Sequence, residues 1–350
     1  MSKFSFYLGL YATRLGWKRR SFQPVATRPE PIDPTPREIC FWTPVKNAGA
    51  KIIVHDMLPR LRCAITEAGL PWTITNDCDP PARRVDVLVA FKAIPPVMPQ
   101  PPGRCVLLIC DQVELFWNKL ARFDGVVATA SRPLAQLLAN RHQAVAYIPE
   151  TETLDAIGFG RANLDRPPSA RPRVLMWHGG EYSQGPLNAL LPELQNIPVL
   201  ADHELHIVSG QAAERVERRG GLTLRRLPWS PERLQETAAR ARLGLAPAHA
   251  SVRRSWLKPA SRIRCMYALG VPAIGDGNVP EVKAFADAVA APTAGARREW
   301  PELLSRMLTD PEQLDRVAHA GHGEVAARHS DAQTAARWIN YLGSLFISRA

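Results

Sequence analysis

Two nearly unbroken apolar runs, VDVLVAF over 85–91 and RCVLLIC over 104–110, constrain this chain more than any other feature. Strands that bury both faces read as continuous hydrophobic stretches, and such strands belong to parallel sheets covered by helices. Similar runs recur with helical spacing between them. EICFWT (38–43), PWTIT (71–75), FDGVVATAS (123–131) and AVAYIPE (144–150) complete a first series. RVLMWHGG (173–180), HELHIVSG (203–210), LTLRRLP (222–228), LGLAP (243–247), VPAIGD (271–276) and a weaker AVAA (288–291) make a second. Helices are expected from the loop after EICFWT through about 68, from Ser131 through 140, and over 186–195, 231–242 and 259–269. The tail 299–345 reads as helical throughout. Ser131 with Pro133 close behind is a helix start. Strand–helix alternation in both halves predicts an α/β chain with two facing Rossmann-like, doubly wound parallel sheets.

The length of 350 residues fits two domains, since one domain commonly takes roughly 150. Prolines, 32 in all, cluster at 24–36, 95–102 and 166–172. The expected division is an N-terminal segment and proline-rich linker over 1–37, a first Rossmann-like domain over 38–160 and a second over 161–330. Residues 331–350 would then be a helix crossing back to the first domain. GRANLDRPPSARP, 160–172, reads as the interdomain linker.

Charge is uneven. The net +11 comes from 44 Lys and Arg against 33 Asp and Glu, and residues 1–37 alone carry about +5. Residues 38–165 are neutral, which argues against one continuous nucleic-acid-binding face. In residues 1–22, Phe4, Tyr7, Leu8, Tyr11 and Leu15 fall at helical spacing ahead of Lys18, Arg19 and Arg20. That pattern suits an amphipathic helix on an anionic membrane surface, and equally a helix packed on the protein itself. No run of eighteen apolar residues occurs, so no transmembrane helix is expected. Neither a signal peptide nor a CxxC pair is recognisable among the six cysteines, and a reducing, cytoplasmic location follows.

Ligands of such sheets sit beyond the carboxyl ends of the strands, in the crevice between the domains. Gly179 and Gly180 follow one strand, where a bare backbone can approach a phosphate or simply turn tightly. Arg253, Arg254, Lys258, Arg262 and Arg264 crowd the segment after LGLAP. Lys258 and Arg262, four apart, would share a helix face, and two cations at a helix start favour an anionic ligand. Asp111 follows RCVLLIC, where a carboxylate could orient an acceptor hydroxyl or act as base; the position equally suits an N-cap. His178 reads as structural, Trp229 as a base-stacking residue or core. Asp77-Cys78-Asp79 is an isolated Asp-x-Asp, and no metal is expected there or elsewhere.

The stretches RVLMWHGG through LGLAP, SWLKPASRIRCMYALGVPAIGDGNVPEV and EWPELLSRMLTDPEQL resemble the donor-binding domain of GT-B glycosyltransferases, closest to the retaining group 1, family 4-like members. FDGVVATASRPLAQLLANRHQAVAYIPETETLD resembles the end of their N-terminal domain, and the helix around Trp338 the one that crosses back. The resemblance implies that Lys258 and Arg262 hold the donor diphosphate, and that Gly179 and Gly180 lie in the loop after the domain's first strand. It places Asn278, Val279, Pro280 and Glu281 near the donor, and Lys46, Asn47 and Gly49 in the loop that faces it. It implies no metal cofactor. One departure is plain. Many retaining members carry Glu-x7-Glu ahead of Gly-x-Pro, and counting back from Gly270 gives Cys265 and Leu257 instead.

The expected function is transfer of a sugar from a nucleotide-sugar to an acceptor hydroxyl, in polysaccharide or glycolipid assembly at the cell envelope, with retention of configuration. The partners would be the nucleotide-sugar, a saccharide or lipid-linked acceptor and an anionic membrane surface at 1–22, with the chain peripheral on the cytoplasmic face of the inner membrane. Nucleic acid is not among them. The missing acids favour one rival, a non-catalytic scaffold of the same fold. A second rival, a sugar-nucleotide epimerase, would need acid–base pairs that the sequence does not display.

Overall fold

The computed structural model describes residues 22–25, 32–44, 54–98, 100–210, 213–248 and 253–346. Residues 1–21, and with them nearly all of the expected amphipathic segment, lie outside the described residues, as do Lys46, Asn47 and Gly49. The chain divides into two units, Met1–Thr151 with Asp331–Ala350, and Glu152–Ser330.

The first unit is built on a parallel sheet. Its strands are β1 (Gln23–Pro24), β2 (Arg37–Trp42), β3 (Trp72–Asp77), β4 (Val87–Phe91), β5 (Arg104–Ile109), β6 (Gly125–Ala128) and β7 (Val145–Tyr147), in the order β1-β7-β6-β5-β4-β2-β3. Every residue of β4 and β6 is buried, which is why those runs carry no polar alternation. Pro24 lies on the edge strand, the place in a sheet where a missing N–H is tolerated. The helices are α1 (Leu58–Glu67), α2 (Arg132–Ala139) and, from the far end of the chain, α10 (Asp331–Ser344). Ser131 caps α2, its Oγ accepting from the Leu134 N–H at 3.1 Å. Helix α10 packs on α1, and its Trp338 meets Phe41 of β2 edge-on at 5.3 Å between ring centroids.

The second unit has strands β8 (Val174–His178), β9 (Glu204–Ser209), β10 (Arg215–Arg219), β11 (Leu222–Pro228), β12 (Ala241–Ala246), β13 (Ala273–Asp276) and β14 (Thr293–Ala294). Their order is β10-β11-β9-β8-β12-β13-β14, parallel except for the β10–β11 hairpin. The helices are α3 (Leu154–Asn163), α4 (Gly185–Leu194), α5 (Pro231–Arg240), α6 (Ser261–Ala268), α7 (Pro280–Ala288), α8 (Trp300–Thr309) and α9 (Pro311–Arg328). One apolar layer joins Leu187 and Leu190 of α4 and Trp300 and Leu304 of α8 to Leu175, Ile207 and Leu245. The other joins α5, α6, α7 and α9 to the opposite sheet face through Leu234, Ile263, Val282 and Val317.

Three expectations are corrected. The 160–172 segment is no linker: α3 starts at Leu154, and Arg171 is 4% exposed. The Arg171 guanidinium donates to the carbonyls of Asn163, Arg166, Ala241 and Gly270 at 2.7–3.1 Å, and burial lowers its pKa to about 10. AVAA is no strand either; it ends α7 and turns, and the edge strand forms later, at Thr293–Ala294. Lys258 is not helical, because α6 begins at Ser261.

Candidate functional site

Each sheet reverses its direction of growth once. In the second unit the chain runs outward from β8 through β9 to β11, then returns to place β12 on the other side of β8. The carboxyl ends of β8 and β12 therefore flank a topological switch point, where such sheets leave a crevice for ligands.

Arg262 occupies that point. It stands in the first turn of α6, with its guanidinium over the Trp177 ring at 4.8 Å. Nη2 donates to Ser183 Oγ at 3.0 Å and Nη1 to the Pro247 carbonyl at 3.5 Å, so one side chain links the segments after β8 and β12. Helix α6 has no side-chain cap at Ala260 and no acid in its first turn. Its positive pole is thus left uncompensated beside a guanidinium, an arrangement that suits an anion.

Gly179 makes the close approach possible. Its φ of +154° is rarely adopted by other residues, and a Cβ there would sit 2.8 Å from Ser183 Oγ and 2.9 Å from Arg262 Nη2. Gly180 lies next, and its carbonyl accepts from Ser183 Oγ at 2.7 Å. His178 bonds the Arg262 carbonyl through Nε2 at 3.2 Å, which requires the proton on that nitrogen. Desolvation, with the Arg262 charge beside it, lowers the His178 pKa to about 4, so the ring is neutral at pH 7. It is a structural strut, as the sequence suggests.

The other residues that the resemblance implies for a donor lie in the same unit. Lys258 is exposed in the turn ahead of α6 and pairs with no acid among the described residues. Asn278 follows β13, its amide donating to Asp276 Oδ1 at 2.9 Å and to the Gly295 carbonyl at 2.5 Å. Glu281 lies buried in the first turn of α7. Where the Glu-x7-Glu acids would stand, Leu257 ends a short turn and the Cys265 thiol is held far above its ordinary pKa by burial, then by the charge of Glu152. Trp229, 48% exposed, follows β11, and its backbone N–H donates to the Ser209 carbonyl at 2.7 Å.

In the first unit the switch point lies between β2 and β4. Asp111, one strand further on, is not a cap: the turn behind it is headed by Gln112, with no side-chain cap. Its carboxylate pairs with Lys92, whose side chain is 8% exposed while that of Asp111 is 48% exposed. Lys92 holds a left-handed φ of 48° at the end of β4. Burial works against its charge, yet Cys110 and Asp111 outweigh that and raise its pKa, so it remains an ammonium. Asp77 accepts from Cys40 Sγ at 3.3 Å, and no cluster of metal-ligating side chains occurs among the described residues.

Sequence reasoning missed Lys92 and Ser183. Both follow strands at the carboxyl edge, so the rule that selected Asp111 and Gly179 could have found them.

No protein-family model matches the chain, and no curated protein matches it in sequence. Solved structures do. A glycosyltransferase of Rickettsia africae ESF-5 superposes with a TM-score of 0.61 at 9% identity, over 90% of this chain and 99% of that one. HepE of Anabaena, solved in complex with UDP and glucose, gives 0.57 at 11% identity over 88% and 100%. The fold is GT-B. Sucrose-phosphate synthase of Thermosynechococcus elongatus shares it, with a TM-score of 0.57 at 13% identity over 89% and 99% of the two chains.

Proposed function

We propose that this GT-B chain is a glycosyltransferase that moves a sugar from a nucleotide-sugar to an acceptor hydroxyl. The observation that carries this reading is Arg262 at the β8/β12 switch point, stacked on Trp177 beside Gly179 and the uncapped start of α6. Glycosyl transfer builds negative charge on a leaving diphosphate. A guanidinium and a helix terminus already in place stabilise that charge without reorganisation. HepE, solved with UDP and glucose and with UDP-glucose, gives the reading its substrate class.

The finer parts of the proposal follow the resemblance. Lys258 adds a mobile cation near the diphosphate, and Asn278 and Glu281 border the donor; Lys46, Asn47 and Gly49 face it. Asp111, held by Lys92, orients the acceptor hydroxyl. The reaction proceeds with retention and without a metal, its cations taking that role. The acceptor is a saccharide or lipid-linked saccharide of envelope assembly. Residues 1–22 rest on an anionic membrane surface from the cytoplasmic side, while no described helix is long and apolar enough to cross a membrane. Nucleic acid is not a partner. Leu257 and Cys265, standing where acids bind ribose in many relatives, favour the second reading, a scaffold without donor chemistry.

A thermal-shift panel separates the two. UDP, GDP, dTDP, CMP and their sugars are added to wild type and to Arg262→Ala and Lys258→Ala. At a hundred times its dissociation constant a ligand stabilises by about 2.7 kcal/mol. A shift with one nucleotide, lost in Arg262→Ala, is expected; no shift with any of them supports the scaffold. For a responding donor, the anomeric configuration of the product by NMR tests retention. Loss of liposome co-sedimentation on deleting residues 1–22 tests the membrane contact.

A further inference from the structure

The proline cluster at 95–102 serves no step of the proposed transfer, and its place in the first unit is unusual. Strands β4 and β5 are parallel neighbours, with Val87 opposite Arg104 and Phe91 opposite Leu108. Such a pair is usually joined through a helix. Here residues 92–103 make the return, and no helix or strand occurs in them among the described residues. The way back along β4 is about 17 Å, whereas about twelve residues of polyproline chain reach roughly 37 Å. The connection therefore has slack and bows outward, and Val97 at its middle is 99% exposed.

The sequence IPPVMPQPP, 94–102, sets the conformation of this stretch. Each proline holds φ at about −65° and drives the residue before it out of the α region, here Ile94, Pro95, Met98, Gln100 and Pro101. Together these preferences give a polyproline II helix, which has three residues per turn and no internal hydrogen bonds. The surroundings agree. Pro95 and Met98, three apart, are half-buried, while Val97 and Gln100, also three apart, are exposed. No main-chain carbonyl from Ala93 to Met98 or from Gln100 to Pro102 accepts a hydrogen bond among the described residues. One side chain pins the strip to the protein: Gln100 Oε1 accepts from the Arg84 N–H at 2.8 Å.

Charge adds a direction. No Asp or Glu occurs between Asp86 and Asp111. Arg83 pairs with Glu38 at 2.8 Å, and exposed Arg84, beside Gln100, makes no ion pair among the described residues. Exposed proline rings, open carbonyls and a flanking guanidinium suit a groove lined by aromatic side chains, whose hydroxyl and indole donors meet the carbonyls. PxxP, the pattern such grooves read, occurs twice, at 96–99 and 99–102. The stiffness of the strip reduces the ordering that binding would otherwise cost. A lipid surface fits less well, because Val97 is the one large hydrophobe of the strip that stands fully exposed among the described residues.

We propose that residues 94–102 are a docking strip for a partner domain that reads polyproline II helices through an aromatic groove with an acidic rim. The full chain is titrated calorimetrically against purified SH3 and WW domains, each first shown to bind its own proline-rich peptide. Micromolar binding to at least one is expected, lost when the tryptophan of that domain's groove is replaced by alanine. Pro96→Ala combined with Pro102→Ala, which breaks both PxxP registers, should weaken it at least tenfold, and Arg84→Glu at least threefold, with the melting of the chain unchanged. A synthetic peptide of residues 92–105 should compete. Binding to none of the domains, or binding that the proline variant leaves unchanged, overturns the proposal, and an inert Arg84→Glu removes the acidic rim from it. Pelleting with anionic vesicles that Val97→Asp abolishes, while no domain binds, overturns it in favour of lipid. Each of these outcomes leaves the glycosyltransferase reading standing.

Discussion

At the scale of the residue, His178 carries the most direct electrostatic consequence. Its unfolded pKa is about 6.5, and in the folded chain desolvation and then Arg262 bring it to about 4. As pH falls below 6.5 the unfolded chain takes up a proton that the folded chain refuses until about 4. The contribution is whole above pH 6.5 and is lost down to pH 4, at most roughly 3 kcal/mol. His178→Gln keeps a donor for the Arg262 carbonyl and does not titrate. Urea midpoints measured from pH 8 to 4.5 should fall less steeply for this variant than for wild type, and parallel slopes would place the burial elsewhere. The candidate site was partly legible at this scale. Gly179, Gly180 and Arg262 stand where strand ends predict, because position after a strand is written in sequence. Lys92 was not, since a lone lysine after an apolar run does not announce that its ammonium turns back beside Asp111. Nor does sequence show that Asn278 has committed its amide to Asp276.

Among the elements, α9 crosses α6 at close range. A Cβ on Gly321 would lie 2.0 Å from the Tyr267 ring, and Tyr267 is fully buried. Gly321→Ala should destabilise by about 1–3 kcal/mol through overpacking, despite alanine's better helix propensity. A chemical-denaturation midpoint at or above that of wild type would contradict the packing. The parallel strands could be read because burial on both faces leaves a continuous apolar signature. Strand β10, RVERR, has none: it is an exposed edge, and its charges are what keep such edges from pairing with other chains. Helix α3 hid for a different reason. LDAIGFGRAN carries two glycines, and its Gly160 packs against the Ala268 carbonyl, so tertiary contact rather than propensity makes it helical.

For the whole molecule, the end of the chain belongs to the beginning. Helix α10 contributes Ala335, Trp338, Ile339, Tyr341 and Leu342 to the core that holds Phe41, Leu61, Val89 and Val127. Removing residues 331–350 strips that core and should unfold the first unit, seen as loss of near-UV circular dichroism and of a cooperative melt. A truncated chain that melts like the full one would contradict the assignment. The central claim concerns the second unit, that a nucleotide-sugar seats its diphosphate on Arg262 and the start of α6. Hydrogen exchange of the full chain, with and without the nucleotide-sugar that shifts its melting, tests this most directly. The account predicts slowed exchange in residues 178–185 and 258–264, abolished in Arg262→Ala; slowing confined to other segments, with these two unchanged, would contradict it.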